Sequence, residues 1–274
     1  MSDRRRRRLE TAKSAPAKAK ETSSVVSFTD DEGANFVHIC LSGKPKTGKT
    51  TFMGSAPNPF VINTDKGLTT LNDLHVPYIT IERVTKEDND ATETAFLKVR
   101  SIIMQFKRGI GPVVDALNKA KYEPKTLCID SGSALSDLFE VDVVLFPPDE
   151  KDREDTLQIQ DYNTIQRRMF QILDLARELP MNLIVSFGLD VLQDDMNRII
   201  ENPSATGNKL GPKIPHFFDE VYVTSFDKEE EKFIISPSQT RRFTHAGSRF
   251  HVPFDDYPNA TWKTFEKWYK RGKK

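Results

Sequence analysis

The chain has 274 residues, 37% of them hydrophobic and 29% charged, enough for one large core but with no apolar run near the roughly 18 residues of a membrane helix. Its two cysteines, Cys40 and Cys128, fall inside apolar runs, which points to buried thiols in a reducing cytoplasm rather than a disulfide scaffold. Lys+Arg and Asp+Glu balance at 40 each, yet residues 1–20 carry +6 and residues 261–274 carry +5, so the middle of the chain is acidic by 11 charges.

The N-terminal stretch "RRRRRLETAKSAPAKAKETSS" is poor in apolar residues and has no hydrophobic segment after its arginines. It reads as a disordered basic tail over 1–34, either an arm for nucleic acid or a solubilising extension, and not as a secretory signal. The first predicted strand is 36–42, "FVHICLS", and it runs into "SGKPKTGKTTF". There Gly43, Gly48, Lys49 and Thr50 have the spacing G-x-x-x-x-G-K-[ST]. Gly43, Lys44, Pro45, Lys46, Thr47, Gly48, Lys49, Thr50 and Thr51 are the candidate nucleotide-binding residues, the glycines letting the loop curl so that backbone N–H groups point at phosphate oxygens. Lys49 adds a charge toward the β- and γ-phosphates, the Thr50 hydroxyl suits Mg²⁺, and a helix over 49–54 turns its first N–H groups to the same anion. A surface turn that happens to carry a lysine is the bland alternative.

Further strands are predicted at 60–64, 78–81, 126–130, 182–187, 220–225, 232–236 and 240–245, and helices at 92–107, 131–145 and 157–179. The early strands are apolar on both faces and separated by helices, so they should be parallel and central; the last three follow closely and should form an antiparallel extension. The segments 146–155 and 193–213 read as loops. In such a sheet the ligand lies at the C-terminal strand ends. Asp130, closing "TLCID", is then the natural Mg²⁺ partner of Thr50, or a cap for the next helix. Asp65, after "FVINT", could orient an attacking water, or be an ordinary turn residue in "TDKG".

Between Phe36 and Pro258 the order of these pieces resembles the RecA-like P-loop ATPase core, and in particular the short RecA-core ATPases of bacteriophages that accompany single-strand annealing. The resemblance implies an α/β fold with a mainly parallel central sheet flanked by helices and a C-terminal antiparallel extension. Domain bounds would be 35–260 for the ATPase, with a basic C-terminal helix or tail over 261–274. It implies a cytoplasmic ATPase using ATP and Mg²⁺, with Lys49, Asp65 and Asp130 catalytic and Thr50 and Asp130 at the metal. "GSRFHVPF" is similar to the segment that reaches a neighbouring subunit's ATP site, which carries a catalytic role to Arg249 within a homo-oligomer or filament. The alternative for Arg249 is a surface ion pair with Asp255 or Asp256. "ENPSATGNK" and its surroundings resemble the second DNA-binding loop, so Arg198, Lys209 and Lys213 would contact single-stranded DNA, with Arg167 and Arg168 as further candidates. A single-strand-binding or annealing protein is the implied partner. Two departures stand out: Asp65 is a methylene shorter than the family's glutamate, and Gly188 stands where the family often has a side chain that senses the γ-phosphate. A loader or packaging accessory acting on a protein, or a nucleotide-binding module with negligible turnover, are the other readings.

Overall fold

The computed structural model describes residues 36–65, 67–85, 94–147, 156–193 and 197–270. The basic tail, the acidic segment 149–155 and the last basic residues 271–274 lie outside the described residues. Six strands form the parallel core: β1 (His38–Gly43), β2 (Pro59–Asn63), β3 (Tyr78–Thr80), β4 (Thr126–Asp130), β5 (Asn182–Phe187) and β8 (Glu220–Asp227), in the order β3-β2-β4-β5-β1-β8. The runs "PFVIN" and "TLCID" are buried at every position because helices cover both faces of the sheet.

Alternation along the strands divides the core into two layers. Ile39 and Leu41 face α1 (Lys49–Gly54) and α6 (Trp262–Tyr269), through Phe52, Met53, Trp262 and Phe265. Cys40, Ile129 and Val185 face α2 (Ala95–Arg108), α4 (Gly132–Leu145) and α5 (Ile159–Arg177). In α5 the buried residues Ile165, Met169, Ile172, Leu173 and Ala176 recur at helical spacing, and its first turn is held by the Asp161 carboxylate accepting from Gln158 N–H at 2.8 Å. The two cysteines are free and fully buried, and burial pushes the Cys40 thiol up to about 12.

Three expectations need correction. The stretch 240–245 is not a strand; Thr240 instead closes a turn, its hydroxyl accepting from Arg242 and Phe243 N–H. The antiparallel extension consists of β9 (Lys232–Ser236), β10 (Gly247–Ser248) and β11 (Tyr257–Pro258), whereas β8 runs parallel to β1 on its other side. The segment 193–213 is more structured than a loop: β6 (Leu189–Gln193) and β7 (Ile199–Pro203) form a separate antiparallel hairpin, followed by a 3-10 helix at Gly211–Phe217. Its strands, "LDVLQ" and "IIENP", show no clean alternation and carry turn-forming Asp, Asn and Pro, so local pattern does not mark them. A short helix, α3 (Pro112–Lys119), also went unread; Pro112 at its first position was the available signal.

Candidate nucleotide-binding site

The site stands at the C-terminal ends of β1, β4 and β5. After β1 the chain curls through Lys44–Lys46, which are exposed, and enters α1 at Lys49. Two glycines are dictated by space and dihedral angle. A Cβ on Gly43 would lie 2.0 Å from Thr224 Oγ1, and Gly48 has φ +85°, with a Cβ there meeting the Phe233 ring at 2.7 Å. The loop is tied to the neighbouring strand by the Thr47 and Thr224 hydroxyls, 2.6 Å apart, while Thr47 also donates to the Lys44 carbonyl at 2.8 Å. The Lys49 ammonium folds back over the loop and donates to the carbonyls of Gly43 and Lys44 at 2.7 Å each. Its proton affinity is lowered by desolvation, against the pull of Asp130 and Asp65.

Asp130 is the centre of the polar cluster. Thr50 donates its hydroxyl to Asp130 Oδ2 at 2.7 Å, and Ser186 donates to Oδ1 at 2.5 Å. Ser186 is a contact that sequence reasoning missed; β5 inserts between β1 and β4 and places it opposite Asp130. The cap alternative falls to the next residue, since Ser131, not Asp130, accepts from Ala134 N–H at the start of α4. Thr64 locks the adjoining strand end by donating to the Ser131 carbonyl at 2.7 Å and accepting its N–H at 2.8 Å.

Asp65 follows at the mouth. Its Oδ1 accepts from Gly67 N–H at 2.9 Å, so the turn reading is realised, yet the carboxylate remains accessible. Desolvation by the surrounding loops raises its proton affinity and Asp130 adds to this, while the Gly67 N–H and Lys49 oppose it. Lys49, Asp65 and Asp130 therefore form one electrostatic group. Among the described residues no set of three or more His, Cys, Asp or Glu is gathered for a metal. The Thr50 hydroxyl and Asp130 carboxylate, 2.7 Å apart, fit a hard cation that keeps waters and takes its remaining ligands from phosphate oxygens.

Gly188, directly after β5, contributes only backbone. Its N–H bonds to Ser133 Oγ at 2.9 Å, Ser133 Oγ donates to the Ser204 carbonyl at 2.6 Å, and Thr206 N–H reaches Ser136 Oγ at 3.0 Å. These hydroxyls of α4 join the end of β5 to the segment 204–210. That segment and the first turns of α5 enclose a groove of about 360 Å³, lined by Ile159, Tyr162, Asn163, Gln166, Asn208 and Lys209 among others. Lys209 and Lys213 are exposed here, and Arg198 is exposed at the turn into β7. Arg168 is not a free surface cation: it stacks 5.3 Å from the Phe96 ring centre and lies 3.8 Å from Asp142, whose carboxylate receives the first N–H groups of α2.

Arg249 is placed elsewhere. Its guanidinium bonds to Asp219 at 3.0 Å, not to Asp255 or Asp256, and its N–H bonds to the Asp219 carbonyl. Asp219 in turn receives the N–H of His38 at the beginning of β1. Six residues of β1 separate this end from the phosphate loop, roughly 17 Å at strand rise.

A glycine-lined loop with Lys49 and Thr50, a strand-end aspartate across β5, and a mainly parallel sheet between helix layers define a P-loop ATPase with a RecA-like core. A family model described as the AAA domain matches residues 35–250, and the chain belongs to that family. Among solved structures, a KaiC-like protein from the hyperthermophilic archaeon Pyrococcus horikoshii OT3 is similar over 81% of this chain and 84% of its own, at 14% identity and a TM-score of 0.38. None of the curated proteins matches the chain. No helix among the described residues is long and apolar enough to cross a membrane.

Proposed function

We propose that the chain is a Mg²⁺-dependent ATPase that acts as a loader or packaging accessory on a protein partner, with ATP hydrolysis resetting the contact. The observation that carries this reading is the groove at 204–210. Exposed Ile159 and Tyr162 with the amides of Asn163, Gln166 and Asn208 suit a polypeptide, whose apolar side chains and backbone amides they complement; Lys209 is the one charged side chain described around it. The hydroxyl seam through Ser133 and Ser136 gives this groove a physical connection to the nucleotide end of β5. ATP would be held by Gly43–Thr51, with Lys49 on the phosphates, Thr50 and Asp130 at Mg²⁺, and Asp65 orienting water. Arg249, 64% exposed and near the N-terminal end of β1, away from its own loop, would be offered to the ATP site of a neighbouring subunit in a homo-oligomer.

A second reading rests on the exposed cations. Lys209, Lys213 and Arg198 all belong to the segments that follow β5, which favours single-stranded DNA and a role in bacteriophage recombination, annealing or repair beside a single-strand-binding or annealing protein. Steady-state ATP hydrolysis with and without single-stranded DNA separates the two. The protein-partner reading expects a change below about twofold; stimulation of about tenfold or more selects DNA.

A further inference from the structure

The strands β8 and β9 continue past the end of β1 and overhang the phosphate loop. β1 pairs with β8 only as far as Thr224, whereas β9 stays paired with β8 to Asp227. Side chains two apart on β8 share a face. Tyr222 faces the α1 layer and Thr224 bonds to Thr47 of the loop, so Phe226 projects on that same side, above the loop. Phe233 is its cross-strand partner in register, with ring centres 5.4 Å apart. Phe233 presses against Gly48, as the 2.7 Å approach of a Cβ built there to its Cγ shows. Its backbone is fixed on the other side, where Asn259 Oδ1 accepts Phe233 N–H at 3.1 Å and Asn259 N–H returns to the Phe233 carbonyl. Phe226 is 42% exposed although nothing in strand packing requires an aromatic ring at this overhanging end.

Two rings on the loop side of a strand pair, inclined 56° to each other, one anchored against Gly48 and one open to solvent, form an apolar surface beside the phosphate loop. We infer that Phe226 and Phe233 are the nucleobase platform of the site: the purine of the nucleotide lies against the open face of Phe226, and Phe233 sets the distance between that face and the phosphate loop. The inference rests on the reading of Gly43–Thr51 as a phosphate loop. The chemistry it recognises is an aromatic π face carried on a triphosphate, with stacking as the source of affinity.

The test compares a ligand that has a base with one that has none. ATP and inorganic tripolyphosphate, each with Mg²⁺, are titrated calorimetrically into the full chain and into Phe226→Ala, a change on the exposed ring rather than on the one that packs against Gly48. Phe226→Ala is expected to weaken ATP about tenfold and to leave tripolyphosphate within about twofold. Phe233→Leu, which keeps an apolar group against Gly48, should weaken ATP more than tripolyphosphate. Unchanged ATP affinity in Phe226→Ala overturns the platform, as does an equal loss for both ligands, because that result assigns the rings to loop packing. If the wild-type chain binds neither ligand, the phosphate-loop reading itself fails and the platform with it.

Discussion

The two ends of β1 hold charge in different ways. At its C-terminal end, Lys49 is satisfied by loop carbonyls and Asp130 by the hydroxyls of Thr50 and Ser186. Phosphate oxygens and a cation can replace those partners without unfolding anything. Around the N-terminal end and the start of β8, Glu220 is fully buried and accepts from Tyr222, Ser248 and the Phe250 N–H, with Tyr269 behind Tyr222 at 2.8 Å. None of those partners is exchangeable, since Tyr222 and Ser248 belong to β8 and β10 and Phe250 to the turn that directly follows β10. Charge with replaceable partners marks a site; charge with permanent partners fastens β10 and α6 to the sheet.

That contrast can be broken by substitution. At the nucleotide end, Asp130→Ala should reduce turnover on the order of a thousandfold while leaving the thermal transition nearly unchanged, because the loss falls on charge stabilisation at the phosphates. A large fall in melting temperature with only modest loss of turnover would place Asp130 with Glu220 as a structural carboxylate. Asp65→Asn keeps shape and removes the charge that orients water, so turnover should fall about a hundredfold with ATP affinity within about twofold. Equal rates would return Asp65 to being a turn residue only.

The opposite edge should respond in the reverse sense. Glu220→Ala leaves the hydroxyl of Ser248, the Phe250 N–H and Tyr222 without their acceptor, for a loss of about 3 kcal/mol in urea unfolding. Glu220→Gln retains an acceptor oxygen and should cost about 1 kcal/mol. Burial raises the proton affinity of Glu220, outweighing the Tyr222, Phe250 and Ser248 hydrogen bonds that favour the carboxylate. A raised carboxyl is more stable protonated in the fold than in the unfolded chain. Its contribution is fully present below the ordinary glutamate range and fades as pH rises through the raised value. The penalty of Glu220→Gln should therefore shrink between pH 5 and pH 8; a penalty that grows with pH reverses the sign of that burial effect.

Arg249 sharpens the comparison because it sits on the permanent side yet has an exposed head. Arg249→Ala removes a surface pair with Asp219, so stability should change by less than about 1 kcal/mol. If the residue serves a neighbour, the variant binds ATP, fails to hydrolyse it, and regains activity when mixed with Lys49→Ala. Co-assembly without rescue would leave Arg249 as a surface ion pair.

How much of this was legible in the sequence follows from locality. The phosphate loop is contiguous, so its spacing alone located Gly43, Gly48, Lys49 and Thr50. The parallel strands were legible because burial on both faces leaves uninterrupted apolar runs. Ser186, Thr224 and Phe233 were not, since what recruits them is strand order: β5 beside β4, β8 beside β1 and β9 beside β8. The partner of Arg249 was missed for the same reason, as Asp219 is 30 positions away and meets it through the pairing of β10 with β8. The hairpin β6–β7 was hidden by turn-forming residues inside "IIENP", where tertiary pairing outweighs local preference.

The most direct measurement is a Mg²⁺-ATP titration of the wild-type chain and of Lys49→Ala, with circular dichroism to establish that both are folded. Lys49 is the half-buried first residue of α1 and donates to loop carbonyls that water can also satisfy, so its removal should leave the spectrum and thermal transition in place. The wild type should bind ATP and the variant should lose about a hundredfold or more in affinity, the scale expected for removing a charge-assisted contact from a partly desolvated site. Equal ATP affinity in two folded proteins would contradict the assignment of Gly43–Thr51 as the nucleotide site.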